Sequence, residues 1–319
     1  YQIAKKLVDV AKQAGADCVK FQTHITEKEM IKTNITPGKI SKKTLWSIIK
    51  NCELTEKDEF KISQYCKDKK IIFLSTPFSI EAVDRLEKIR MPAYKIGSGD
   101  ISWDSMIEKI ASKNKPVLLA TGAATLEEVI HAHDLLIKVN PQVILMQCNT
   151  NYTGSIENFK YINLNVLKTY RTSFPGTILG LSDHTPGNET VLGAVALGVK
   201  AIEKHFTDDT TRPGPDHSFS MDPVGWKAMV QSTRLLEASL GSPVKKVENN
   251  EKETVILQRR AVRAIRKISA GEKLNRNMIE FQRPCPMNAM KPNEFASRVG
   301  KKLMSDVEKG EYLKVNELI

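Results

Sequence analysis

Seven short β-rich runs recur along the chain, each followed by a longer helical or polar stretch. They are DCVKFQTH (17–24), IIFLSTPF (71–78), AYKIGSGD (93–100), PVLLATG (116–122), VILMQCNTNY (143–152), TILGLSDH (177–184) and KAIEKHFT (200–207). Amphipathic segments such as TEKDEFKISQYCKDK and TLEEVIHAHDLLIKV lie between them, and Thr125 with Glu128 has the spacing of a helix-capping box. Strand and helix in strict alternation imply parallel strands joined by helical crossovers. The chain opens on a helical pattern, IAKKLVDVAKQAG, before the first run. An eight-fold (β/α)8 barrel lacking its first strand is therefore expected, with a doubly wound open sheet as the alternative. No G-x-G-x-x-G follows a strand, which disfavours a dinucleotide site.

Most of these runs end in polar residues: Lys-Phe-Gln-Thr-His, Ser-Thr-Pro-Phe, Gly-Ser-Gly-Asp, Ser-Asp-His and Glu-Lys-His. In an α/β barrel the C-terminal strand ends build the active site, so this clustering is what an enzyme shows. Composition agrees. The 319 residues are 41% hydrophobic and 27% charged, and no stretch approaches the ~18–20 apolar residues of a membrane helix. Five cysteines (Cys18, Cys52, Cys66, Cys148, Cys285) form no C-x-x-C pair, as suits a reducing, cytoplasmic setting.

After about residue 240 the pattern changes. The composition places a barrel domain over 1–240, a polar linker (GSPVKKVENNEKET) within 241–256 and a small domain over 257–319. The last part carries a near-repeat at an offset of 39, KISAGEKLNRNMI (267–279) against DVEKGEYLKVNEL (306–318). Two copies of a turn-and-strand unit predict a compact β-rich domain with pseudo-symmetry. Of the net charge of +11, +6 falls in the last 69 residues, which hold 15 Lys/Arg and 9 Asp/Glu. Such a surface suits an anionic ligand, a nucleic acid, an acidic membrane or simply water. The tail does not interleave aromatic and basic residues as a single-strand nucleic-acid platform would.

Residues i and i+2 of a strand share a face, so Ser182 and His184 point one way, as do Glu203 and His205. Two imidazoles and a carboxylate from neighbouring strands can converge on a divalent metal; two histidines satisfied at a barrel rim are the plainer alternative. Lys20, Gln22 and His24 share another face, and Lys95 lies in a third strand. A lysine inside an apolar strand needs an anion: a phosphate or carboxylate held with Thr76, Ser98 and Ser182, or an internal partner such as Asp100 or Asp183. A lysine Schiff base is open on residue type alone. In the loop RPGPDHSFSMDP (212–223), Arg212, Asp216 and His217 are candidates to face a ligand.

KFQTH, STPFS, AYKIGSGD, GLSDHT and IEKHFTDDTTRPGPD, in this order and spacing, resemble the sialic acid (nonulosonate) synthase family, and the tail is similar to the antifreeze-like (SAF) domain of those enzymes. The resemblance implies a (β/α)8 barrel with a β-clip domain, assembled as a homodimer with swapped SAF domains. It implies a carbon–carbon bond-forming transferase that condenses phosphoenolpyruvate with an N-acetylated amino sugar, giving N-acetylneuraminate from N-acetylmannosamine. Legionaminate or pseudaminate synthesis from a 2,4-diacetamido-6-deoxy sugar is the alternative. A related keto-sugar-acid aldolase and a non-catalytic glycan-binding protein stand further off. By motif position, His184 and His205 hold the metal, Mn2+ first, with Mg2+ or Co2+ possible. Lys20, Thr76, Lys95, Ser98 and Ser182 hold phosphoenolpyruvate, and Gln22, Tyr152 and Asp216 face the sugar. Arg283 is the arginine that a partner subunit lends. Glu203, with Lys95 and Lys20, carries the catalysis by positioning or deprotonating a water.

Departures from the family pattern are also visible. The E-I-G-x-N-H opening is absent. Ala120 replaces a serine, Thr150 stands near an expected asparagine, Lys39 replaces another asparagine, and PCPMNAM follows Arg283. These put the acceptor sugar in doubt more than the chemistry.

Overall fold

The computed structural model describes residues 1–37, 42–214 and 216–319; Lys39 lies outside the described residues. The chain divides into two compact units, Tyr1–Gly241 and Ser242–Ile319.

Each of the seven β-rich runs contains a strand of the first unit: β1 (Cys18–Thr23), β2 (Ile72–Pro77), β3 (Tyr94–Ile96), β4 (Val117–Ala120), β5 (Val143–Cys148), β6 (Ile178–Asp183) and β7 (Ala201–Lys204). All the pairings are parallel. β1 pairs with β2, β3 through β7 form one five-stranded sheet in chain order, and β2 packs beside β3. The helices are α1 (Gln2–Gln13), α2 (Thr26–Glu29), α3 (Leu45–Cys52), α4 (Glu56–Asp68), α5 (Ile80–Ile89), α6 (Asp104–Ala111), α7 (Leu126–Ile137), α8 (Val166–Ser173), α9 (Glu189–Ala196) and α10 (Pro223–Leu240).

Local chemistry explains where the crossover helices begin. The Thr55, Ser79 and Asp222 side chains each accept a backbone N–H in the first turn of α4, α5 and α10. Thr125 and Glu128 close the full capping box at the start of α7. Val83 and Leu86 of α5, Ile107 and Ile110 of α6 and Leu136 of α7 are fully buried with Ile96, Leu119, Leu145 and Leu181 of the strands. That core fixes the sheet and brings the polar strand ends to one side.

The second unit holds α11 (Lys252–Gln258), an antiparallel pair β8 (Ala261–Ala264) and β9 (Ile279–Gln282), and α12 (Pro292–Phe295). Part of the segment read as linker is thus helical. The near-repeat is written into its hydrogen bonds. Ile268 and Val307, equivalent positions, exchange both backbone bonds at 2.9 Å. Gly271 N–H donates to the Leu303 carbonyl and Gly310 N–H to that of Ala264, both at 2.8 Å; Leu274 and Leu313 bond to Lys301 and Val262 in the same way. Every partner is also 39 positions from its counterpart, so the unit has a pseudo-two-fold core around Ile268, Leu274, Val307 and Leu313.

Candidate active site

The strand ends of the first unit converge on one carboxylate. Lys95 Nζ of β3 lies 2.7 Å from Glu203 Oε1 of β7, Ser182 Oγ of β6 lies 3.3 Å from the same oxygen, and Lys20 Nζ of β1 is 4.0 Å away. Lys20 also donates to Thr76 Oγ1 at 3.3 Å and Lys95 to Ser182 Oγ at 3.4 Å. Residues from β1, β2, β3, β6 and β7 therefore meet at one point. The parallel register makes this possible, since it sets Gln22 beside Thr76 and Ser182 beside Glu203.

Thr76, Lys95 and Ser182 are buried. Burial alone would raise the Glu203 carboxyl, but the Lys20 and Lys95 ammonium groups outweigh it and hold the group down to about 2. Burial lowers Lys20 below the usual lysine range, opposed by Glu203. The internal anion that satisfies both lysines is thus Glu203, and neither Asp100 nor Asp183 fills that role. Ser98 stands at the edge of the cluster and accepts the Gly122 N–H at 2.9 Å. A Cβ at Gly122 would come within 2.5 Å of Thr150 Cγ2 and 3.1 Å of Cys148 Sγ, so only glycine lets this loop close on Ser98.

Beside the lysine cluster lie the two histidines, with ring centroids 5.1 Å apart. His184 Nδ1–H donates to the Asn149 carbonyl at 2.8 Å, and His205 Nδ1 lies 3.4 Å from Asp216 Oδ2. Each contact occupies Nδ1, and among the described residues neither Nε2 has a hydrogen-bond partner, the arrangement of a metal-ligating imidazole. Burial, and then His205, hold His184 down to about 4, so it is neutral near pH 7 as a ligand must be. Two imidazoles fit a borderline divalent ion with positions left open. Among the described residues, no three His, Cys, Asp or Glu side chains form a metal cluster. Glu203 does not join the histidines, because the lysines engage it. Tyr152 and Phe219 wall the pair, with centroids 4.4 and 5.0 Å from His184 and His205 respectively.

The remaining candidates make other contacts. Gln22 is exposed on the same strand face as Lys20. Arg212 pairs with Asp208 at 2.8 Å, and His217 Nδ1 lies 2.7 Å from Thr207 Oγ1; both brace their loop. Arg283, in the second unit, donates from Nε to the Gln258 carbonyl at 2.6 Å. Two features had no side-chain signal in the sequence: the Asn149 carbonyl, a backbone group, and the pairing of Lys204 with Asp183.

The NeuB family profile matches residues 7–245. The chain belongs to the NeuB family. It is 33% identical over 310 residues to the N,N'-diacetyllegionaminic acid synthase of Campylobacter jejuni, covering 94% of this chain and 91% of that one. It is 30% identical to the human N-acetylneuraminate-9-phosphate synthase, covering 99% of this chain and 88% of that one. Among solved structures it is similar to the N-acetylneuraminic acid synthetase of Leptospira borgpetersenii in complex with citrate. The TM-score is 0.71 at 27% identity, over 80% of this chain and 85% of that one. In this NeuB chain no described helix is long and apolar enough to cross a membrane.

Proposed function

We propose that this NeuB-family protein condenses phosphoenolpyruvate with an open-chain N-acetylated amino sugar, N-acetylmannosamine first, releasing inorganic phosphate and a nonulosonic acid. The observation that carries the reading is the convergence of Lys20, Lys95, Thr76 and Ser182 from four strands, beside two histidines whose Nδ1 atoms are already engaged.

Lys20 and Lys95 hold the carboxylate and phosphate of phosphoenolpyruvate, with Thr76, Ser98 and Ser182 donating hydroxyl hydrogen bonds. Fixed cations in a partly dehydrated site act strongly on such an anion. Carbon 3 of the enol ester attacks the sugar aldehyde and forms the new C–C bond, while the C=O π pair moves to the aldehyde oxygen, which takes up a proton. Water adds at carbon 2 and gives up one proton, and phosphate departs with the C–O electron pair as the C2 hydroxyl releases the other proton to leave a ketone. Glu203, fully ionised beside its lysines, orients that water. As the arriving anion draws Lys20 and Lys95 away, Glu203 loses the partners that depress it and becomes basic enough to accept the proton. When bound at His184 and His205, a divalent cation (Mn2+, with Mg2+ or Co2+ as alternatives) supplies Lewis-acid chemistry to a carbonyl oxygen. Gln22, Tyr152 and Asp216 face the sugar. We read the second unit as an SAF-type domain that completes the sugar pocket of a second copy through Arg283, in a swapped homodimer with a full (β/α)8 barrel.

A 2,4-diacetamido-6-deoxy sugar is the second acceptor, favoured by the similarity to the Campylobacter jejuni relative. The test is phosphate release from phosphoenolpyruvate with Mn2+, run once with each sugar. Release with N-acetylmannosamine is expected; release with the deoxy sugar alone moves the substrate and keeps the chemistry. No release with either, before and after metal reconstitution, overturns the reading.

A further inference from the structure

Among the buried titratable groups at the strand ends that the proposed reaction leaves without a task is His24. His24 is 4% exposed, two residues beyond Gln22 on the same strand face. Its ring stacks on Phe78, with centroids 4.6 Å apart and planes within 8°. Nδ1 lies 2.7 Å from Glu29 Oε2, and Nε2 lies 3.4 Å from Gln22 Oε1. A histidine serving only the core would spend both nitrogens on the scaffold. Here one is clamped by a carboxylate of α2 and the other reaches an exposed amide.

We propose that His24 is a positioning residue, held by Glu29 and Phe78, that fixes the orientation of the Gln22 carboxamide toward the sugar. The inference rests on the reading above. An amide has an accepting end and a donating end, and a long exposed side chain samples many rotamers. The contact with His24 Nε2 engages one end of the amide and leaves the other end outward. Stacking on Phe78 keeps the imidazole from rotating, and the Glu29 carboxylate fixes which edge points at Gln22.

The experiment is a double-mutant cycle on the intact protein. His24→Phe keeps an aromatic ring against Phe78 and removes both hydrogen bonds. It is expected to raise the KM for the sugar about tenfold, the weight of one net hydrogen bond with its ordering, while the KM for phosphoenolpyruvate and kcat hold within about threefold. In a Gln22→Ala background the same change is expected to have no further effect, because nothing remains to be positioned. Equal rises in both KM values, no rise in either, or full additivity with Gln22→Ala would overturn the proposal. If His24→Phe does not fold, Glu29→Ala enters the same cycle with the same criteria. A wild-type protein that turns over neither sugar defeats the functional reading and this proposal together; an active wild type with additive variants defeats the proposal alone.

Discussion

Two lysine–carboxylate pairs lie side by side on β6 and β7 and differ in almost every respect. Asp183 and Lys204 are cross-strand neighbours on the outer face, 2.5 Å apart, with side chains 0% and 4% exposed. Asp183 also accepts from Thr185 and from Thr190 at 2.6 Å, and Lys204 donates to the Thr185 carbonyl at 2.6 Å. One residue away on the inner face, Glu203 takes Lys95, Ser182 and Lys20 on a single oxygen, and its side chain is 21% exposed. The outer pair is saturated and can only hold the fold. The inner one is unevenly satisfied and open to water, so it has capacity left for a ligand. Alternating residues of one motif thus divide between scaffold and chemistry, and the completeness of hydrogen bonding tells them apart.

The sharpest way to break that contrast is to delete one lysine from each pair. Lys95→Met is expected to cut turnover by about 10^2–10^3-fold, as loss of one preorganised cation does, while costing less stability than Lys204→Met because Glu203 keeps Lys20 and Ser182. Lys204→Met leaves Asp183 charged and buried, and is expected to cost about 3–5 kcal/mol of stability. Urea midpoints together with phosphate release read both. A Lys95 variant that unfolds, or a Lys204 variant that is stable and inactive, would exchange the two assignments.

Much of this was legible from sequence, for identifiable reasons. The strands announced themselves because parallel strands buried on both faces are short apolar runs, and because polar residues gather at their ends. Period-two spacing expects Ser182 to share a face with His184 and Glu203 with His205; across the strands Ser182 stands beside Glu203 and the two histidine rings lie 5.1 Å apart. What the spacing could not supply was the partner across the sheet. Whether Lys95 meets Glu203 or Asp183 depends on inter-strand register and on the other residue at the same level, neither of which is written in one strand. The same limit hid the Asn149 carbonyl, which orients His184 from β5's end without any side chain. The roles of Gln22, Tyr152 and Arg283 rested on family resemblance, since nothing in their local pattern distinguishes them.

A milder contrast sets Glu203 against Asp100, a second rim carboxylate. Burial raises both, but among the described residues no lysine offsets it at Asp100. With Glu29 nearby, it is pushed up to about 6. A folded value above the unfolded one means that protonated Asp100 contributes stability that is full below about pH 4. That contribution is lost as pH rises through about 6. Asp100→Asn is expected to gain about 2 kcal/mol over wild type at pH 7, after discount for partial exposure, and almost nothing at pH 4. A gain that does not change between the two pH values, read from urea midpoints, would remove Asp100 from the comparison.

The smallest effect separates the two units themselves. In the first unit the strand ends are built from unlike residues, whereas the second repeats its own hydrogen bonds, so equivalent substitutions there should behave alike. Gly271 and Gly310 have φ of 84° and 86°, and nothing lies within 4 Å of a Cβ built at either. Alanine at each position meets only the backbone penalty of the left-handed region, about 1 kcal/mol, with no packing contribution to tell them apart. Gly271→Ala and Gly310→Ala are therefore expected to lower the melting temperature by the same few degrees. A gap of more than about 1 kcal/mol between them would show that the pseudo-two-fold of bonds is not one of energy.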